Sequence, residues 1–258
     1  MQSITQQEVT QEILNLFDLN NPTMPRAFNV LEGVITGQIL VDNLIQPDWA
    51  VVREGIYGTL YFGGQITSSV ISSVFEHFFQ FGGIGVGCWL DSPLNKILPA
   101  NPDYDGFTFY FTERSSVETN LVTLYSQLPS DYDLVSRDEQ LFKKSFDYDS
   151  TLASFGSTEN VMQRTLGMSL VQGDFLVCEA ATGAPTHGVI EVGVTTHENF
   201  RQKGLATIAC AKLIEACETQ GYSTWWDCAK QNTPSVRLAK KLGYRNEKEY
   251  RYAWWEKR

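Results

Sequence analysis

The stretch from Val192 to Gln220 constrains this chain more than any other. A β-branched run (Val192, Val194, Thr195, Thr196) passes through a polar turn, His197-Glu198-Asn199, into Phe200-Arg201-Gln202-Lys203-Gly204-Leu205-Ala206. Apolar residues then return at helical spacing. Leu205, Ile208, Ala209, Leu213 and Ala216 share one face, with Lys212, Glu215 and Glu218 toward solvent. This reads as a strand that turns directly into a long helix. The first-turn amides of such a helix have no intrahelical partner and sit at the positive end of its dipole, which makes an anion site. Gly204 lets an anion approach the backbone, and Ala206 keeps the next turn slim. Arg201 and Lys203 add positive charge in a chain whose formal net charge is −10. A hexapeptide of this type arises by chance about once in four chains of this length, from average residue usage. Alone it marks an ordinary strand–turn–helix more readily than a phosphate site, so the surrounding chain has to decide.

Fold class follows from the order of patterns. Residues 5–19 have amphipathic helical spacing through Val9, Ile13, Leu16 and Phe17, ended by Asn20-Asn21-Pro22. Strand-like stretches cover Asn29–Val41, Trp49–Phe62, Val86–Leu90 and Phe107–Phe111. Gly63-Gly64 and Gly82-Gly83 bracket a helix containing Val70, Val74, Phe75 and Phe78, and helical spacing returns over 116–127 through Val117, Leu121, Leu124 and Tyr125. Pro129-Ser130-Asp131 is the predicted boundary between an N-terminal domain, 1–130, and a C-terminal domain, 131–258. Beyond it come a strand near Tyr132–Val135, helical material to Arg164, strands at Met168–Val171, Phe175–Ala181 and Val189–Thr196, and the long helix. Strand Thr224–Cys228, helix Pro234–Leu242 and strand Tyr250–Trp255 close the chain. The expectation is an α/β fold: a mixed sheet flanked by helices in the C-terminal half, preceded by a second α/β or α+β domain.

Composition excludes some partners. With 30 acidic against 20 basic residues and no clustered Lys/Arg run, the chain lacks what a nucleic-acid binder needs to displace counterions. An acidic surface repels anionic membranes and tolerates cationic small molecules. No apolar run approaches the ~20 residues of a membrane span, and the expected location is cytoplasmic. Cys88, Cys178, Cys210, Cys217 and Cys228 form an odd set without CxxC spacing, so neither a disulfide framework nor a metal site is expected.

Downstream of the long helix, Trp226-Asp227-Cys228-Ala229-Lys230-Gln231-Asn232 leads to Thr233-Pro234-Ser235-Val236-Arg237-Leu238-Ala239-Lys240-Lys241-Leu242-Gly243-Tyr244. Together with Thr196–Ala206 this resembles the GNAT superfamily of N-acetyltransferases, most closely its zwittermicin-resistance-like branch. The resemblance is specific over 188–245. It implies acetyl-CoA as co-substrate, with Arg201, Gln202, Lys203, Gly204, Leu205 and Ala206 around the pyrophosphate. It also implies backbone of Val194, Thr195 and Thr196 along the pantetheine arm, with Asn232 and Ser235 beside that arm. By the residues alone, Asn232 or Thr233 is a cap for the following helix, with Pro234 in its first turn and Gly243 past its end.

The same resemblance raises a question about catalysis. Many family members carry a Tyr four residues before the Gly of the Leu-Gly-aromatic ending, where it protonates the departing thiolate. Here Ala239 stands in that place, leaving Tyr244, Tyr250, Cys228 or no side chain for the task. Glu191 is the candidate general base on the strand, since a carboxylate can take the ammonium proton directly or through water; a strand Glu is also a common edge or substrate-anchoring residue. His187 and His197 read as turn residues, and Asp227 as a structural hydrogen-bond former. No Ser or Cys nucleophile with a paired His is visible. The expected activity is acetyl transfer to a small-molecule amine by direct attack in a ternary complex. A catalytically weak CoA-binding module and a protein or peptide acetyltransferase are the alternatives, and a homodimer is one arrangement open to the chain.

Overall fold

Ile71, Val74, Phe75 and Phe78 recur at helical spacing, and in the computed structural model, which describes residues 1–115 and 119–257, they are the buried face of a helix over Ser68–Phe79. That helix belongs to the first of two units. Unit 1 comprises Met1–Tyr110, Ala229–Gln231 and Glu249–Arg258, and unit 2 comprises Phe111–Cys228 and Asn232–Lys248. The predicted boundary lay at Pro129–Asp131. The observed units change over at Phe111 and return the last strand to unit 1, a tertiary exchange that leaves no mark in local composition.

In chain order unit 1 holds β1 (Gln2–Ile4), α1 (Gln11–Leu14), α2 (Met24–Leu31), β2 (Gly37–Val41), β3 (Trp49–Glu54), β4 (Thr59–Gly64), α3 (Ser68–Phe79), β5 (Ile84–Trp89) and β6 (Tyr104–Phe111). Pairs β1/β2, β2/β3 and β3/β4 are antiparallel. The β4/β5 pair is parallel, through Thr59 against Gly85 and Leu60 against Val86. A parallel pair needs a crossover, and α3 supplies it. Its face joins Leu40, Val51, Leu60, Ile84, Val86 and Trp255 in one core, with Phe75 edge-on to Trp255 at 5.2 Å between ring centres.

Unit 2 holds β7 (Glu113–Arg114), α4 (Leu121–Tyr125), β8 (Asp133–Ser136), α5 (Glu139–Phe142), α6 (Tyr148–Phe155), α7 (Thr158–Arg164), β9 (Gly167–Gln172), β10 (Phe175–Thr182), β11 (Val189–Thr196), α8 (Leu205–Thr219), β12 (Ser223–Ala229), α9 (Thr233–Lys241) and β13 (Tyr244–Arg245). The final strand, β14 (Lys248–Trp255), pairs antiparallel with β5 of unit 1, from Tyr250 against Trp89 to Trp255 against Ile84. In unit 2, β8/β9, β9/β10 and β10/β11 are antiparallel. The β11/β12 pair is parallel, from Val189 against Ser223 to Glu191 against Trp225, with α8 as crossover. Leaving aside the two-residue β7 of unit 2, which pairs with β13 in a separate sheet, the first five strands of each unit follow one plan: helices between the first and second, an antiparallel meander of four, a crossover helix, then a parallel fifth strand. The fold is α/β with mixed sheets, as the order of patterns implied.

Several elements differ from the sequence expectation. Asn29–Val41 is not one strand. Asn29, Val30 and Leu31 close α2, and β2 begins only at Gly37. Seven of the eight α2 residues are buried, and a short helix buried all round carries no 3.6-residue stripe to distinguish it from a strand. Trp49–Phe62 is two strands, turned at Gly55–Gly58, where Gly58 has φ +67°. The helical spacing over 5–19 yields only a 3₁₀ turn at Gln6–Glu8 and α1. Within the helix predicted over 116–127, Val117 lies outside the described residues, and α4 covers Leu121–Tyr125.

Candidate functional site

The site grows from the alternation of strand β11. The His197 amide donates to the Val177 carbonyl of β10 at 3.0 Å, and the Gly188 carbonyl accepts from Ser223 on the β12 side at 2.9 Å. Successive residues of a strand turn their backbone groups to opposite edges. Odd-numbered residues of β11 therefore bond β10, and even-numbered residues face β12. The parallel ladder ends at Glu191 and Trp225, whereas β11 continues to Thr196. The Val192 N–H still belongs to that last rung, donating to the Trp225 carbonyl. Beyond it the Val192 C=O and the N–H and C=O of Val194 line an edge that β12 no longer occupies, and the Thr196 carbonyl at its end accepts from Arg201 Nε. A peptide-like ligand can occupy this edge.

Both parallel strands run into helices at their carboxyl ends, β11 into α8 and β12 into α9. Ligands of open α/β sheets bind at this end of the strands. The α8 start leaves its first amides open. Gly204 is its N-cap residue in the left-handed region, φ +81°, and offers no side chain to the free amides. A Cβ there would meet nothing within 4 Å, so a ligand has open access to the backbone. Thr207 and Ile208 both donate to the Gly204 carbonyl, at 3.0 and 3.3 Å. The Leu205 and Ala206 amides lie within the first turn, where no carbonyl one turn back is available. Gln202 also has positive φ, +64°. Arg201, Gln202, Lys203 and Gly204 are all exposed.

What holds this loop was not visible in the sequence. Arg201 Nε donates to the Thr196 carbonyl at 3.2 Å, and the Lys203 ammonium stands 4.8 Å from the centre of the Phe200 ring, an attraction that orients the charge. Phe200 packs against Phe175 and His197 at 5.8 Å each, and Phe175 lies 5.1 Å from His197. His197 Nδ1 accepts from the Asn199 amide at 3.4 Å. His197 is thus a turn residue with a structural task. Phe175 is remote in sequence and gives no spacing signal. Helix α8 itself is more enclosed than its predicted stripe: Thr207, Cys210, Ala211, Ile214 and Cys217 are buried too, because α4 packs on it as well as the sheet. The predicted solvent-side residues are engaged. Glu215 meets Lys212 at 2.5 Å and accepts from Tyr125 Oη at 2.8 Å, while Glu218 accepts from Arg114 Nε at 2.6 Å.

Glu191 is half-buried at the last rung before the strands part, on the face opposite Ile190 and Val192. Its Oε2 comes within 3.8 Å of where a Cβ on Gly183 would stand. The same face of β10–β11 carries Glu179, which is buried and receives Arg137 Nη1 at 3.3 Å and Ser145 Oγ at 2.5 Å. Arg137 Nη2 also donates to Thr165 Oγ1 at 2.6 Å. This clamp ties β10 to the residues that follow β8, α5 and α7.

At the α9 start, Asn232 Oδ1 accepts from the Ser235 amide at 3.3 Å, which is a helix cap, and Ser235 Oγ accepts from Trp226 Nε1 at 3.1 Å. Of the side chains left to protonate a thiolate, Tyr244 is fully buried and its hydroxyl donates to Thr224 Oγ1 at 2.8 Å. Burial raises its phenol far above the ordinary range. Tyr250 is buried in unit 1 against Trp89 and Tyr110. Cys228, its thiol pushed up by burial, is the one of the three on β12 beside the α9 start. Ala239 is wholly buried.

A strand edge released by its parallel neighbour, beside a helix start whose first amides are open, is the geometry of the site in this α/β fold. A family model described as GNAT acetyltransferase matches residues 16–253. The chain belongs to the GNAT acetyltransferase family. Among curated relatives, the uncharacterized N-acetyltransferase YdfB of Bacillus subtilis (strain 168) is 29% identical over 126 residues; the match spans 48% of this chain and 48% of that protein, about half its length. Among solved structures, a GCN5-related N-acetyltransferase-like protein from Streptococcus suis 89/1591 has a TM-score of 0.73 at 24% identity, covering 97% of this chain and 100% of that one. A tandem GNAT protein from the clavulanic acid biosynthesis pathway has a TM-score of 0.66 at 11% identity, over 99% and 98% of the two chains. These likenesses speak for the fold of the whole chain.

Proposed function

We propose that this protein transfers an acetyl group from acetyl-CoA to the amine of a small molecule in the cytoplasm, by direct attack within a ternary complex. The observation that carries the reading is the released edge at the Val192 carbonyl and Val194, which leads past Thr196 to the open Gly204 turn. The edge suits the amides of a pantetheine arm, and the turn, with Arg201 and Lys203, suits a diphosphate. Acetyl-CoA supplies an activated thioester carbonyl. The protein's own part is to hold the arm by backbone pairing from Val194 to Thr196, to direct strand amides at the developing oxygen charge, and to take the amine proton on Glu191. Asn232 and Ser235, though committed to the α9 cap, stand at the same end of the sheet and border the arm. The likeness of Trp226–Tyr244 to the zwittermicin-resistance-like branch agrees with a small-molecule acceptor.

The test is thermal. Acetyl-CoA that binds only the folded chain, at ~100 times its dissociation constant, is expected to add about 2.7 kcal/mol. A melting curve unmoved by millimolar acetyl-CoA would sink the proposal. A second variable isolates the turn. Gly204→Glu places a carboxylate at the anion site and is expected to weaken CoA binding about 10- to 100-fold, the loss of one or two hydrogen bonds to a charged group. Its left-handed backbone costs the free protein about 1–2 kcal/mol. Gly204→Gln bears similar strain without the charge, so a Glu variant that binds CoA as well as the Gln variant would refute the anion role.

A second reading, a CoA-binding module with little catalysis, is favoured by the buried Ala239 and the withdrawn Tyr244. Turnover of acetyl-CoA against polyamines, aminoglycoside-like amines and peptides separates it from the first, and also separates small-molecule from protein acceptors.

A further inference from the structure

Unit 1 repeats the strand plan of unit 2, and it repeats the parting of strands as well. The Gly58 carbonyl accepts from the Gly85 amide at 3.1 Å, so even-numbered residues of β4 face β5. The ladder ends at Leu60 and Val86, while β4 runs on to Gly64 and β5 to Trp89. The backbone groups of Phe62 thus face an edge that β5 has left, and that edge is closed one step further on, where the Gly64 amide donates to the Leu16 carbonyl at 3.1 Å. A cavity of about 240 Å³ opens there. Its walls include Met24, Leu60, Phe62, Ile66, Leu94 and Ile97, with Asn21, Ser92 and the Cys88 thiol as polar points, and no lining residue is charged. Cys88 Sγ is turned to Asn95 Oδ1 at 3.1 Å, and burial raises it to about 11, so the thiol is neutral too.

The helix start differs from that of unit 2 in two ways that exclude a diphosphate. The connection Gln65-Ile66-Thr67 carries no Lys or Arg. The Thr67 hydroxyl already accepts from the Val70 amide at 3.3 Å, filling the place that Gly204 leaves open in α8. A cationic amine is also unsuited, because no carboxylate lines the cavity to offset its desolvation.

We infer that the cleft between β4 and β5 is a second ligand site, and that it takes an uncharged, extended chain bearing an amide. Its released strand edge pairs with the amide, and its apolar walls cover the rest. The test uses the full-length protein and reduced pantetheine as probe, an uncharged chain with two amides, titrated by calorimetry with coenzyme A held at saturation. Pantetheine is expected to bind one site that coenzyme A does not displace. Ile97→Trp, which fills the cavity, and Ile66→Glu, which places a charge at its wall, are each expected to weaken that binding at least tenfold while coenzyme A binding stays unchanged. Complete displacement of pantetheine by coenzyme A would overturn the inference, as would binding indifferent to both substitutions. Should Ile97→Trp fail to fold, Ile66→Glu still decides. A protein that binds pantetheine but no coenzyme A would refute the proposal for unit 2 and leave this one standing.

Discussion

Replacing Glu191 by Gln is expected to lower turnover about 10²- to 10⁴-fold, the usual contribution of a general base. Glu191 sits at the last rung of the β11/β12 ladder, where the strands part and an acyl group held along β11 would end. The amide is isosteric and the Gly204 turn lies beyond the far end of β11, so acetyl-CoA affinity should be retained. Raising the pH should partly restore the variant, since an amine deprotonated in solution needs no base. Undiminished turnover would remove Glu191 from the mechanism. A large rise in the acceptor's KM at unchanged kcat would instead make it the anchor of a cationic substrate.

Arg137→Met is expected to destabilise the protein by about 3–5 kcal/mol, because it strands a buried carboxylate. The Arg137 and Glu179 side chains are 4% and 5% exposed, so water cannot replace the lost partner. With roughly 2–4 °C of melting temperature per kcal/mol in chains of this size, the midpoint should fall by about 6–20 °C. The double variant Arg137→Met, Glu179→Leu removes both charges and should recover much of the loss, as apolar replacements of buried pairs often do. A single variant melting like the wild type would show that the clamp contributes nothing net. Among the described residues Arg137 Nε has no hydrogen-bond partner, and it stands against Gly167, where a Cβ would come within 2.7 Å of it. A Gly167→Ala variant therefore offers an independent disturbance of the same clamp.

The fold class and the strand–helix junction at the candidate site were both legible in the sequence. Arg201–Ala206 could be read because its signal is local: a glycine, two cations and a helical stripe within a short span report the same strand–helix junction that the structure shows. The roles of those residues toward a cofactor remain a proposal. Asn232 could be read in two ways, and the observed hydrogen bond to Ser235 is the capping one. The α/β class was legible for a similar reason, since strand and helix periods alternate along the chain whatever their neighbours do.

Other features depend on residues that meet only after folding. The brace of Phe175 and His197 behind Phe200 joins the start of β10 to the end of β11. The Arg137–Glu179 clamp joins the end of β8 to the middle of β10. Neither has a spacing that a linear reading could use. The end of the parallel ladder at Glu191 was hidden too, because periodicity reports that a residue is in a strand and not which neighbour it pairs with. The repeat of one strand plan in both units leaves no repeated sequence, since burial asks only for apolar side chains of suitable volume. Placement of β14 in unit 1 was least legible of all. An alternating strand is stable against any compatible edge, and which edge it meets is decided by the path of the whole chain.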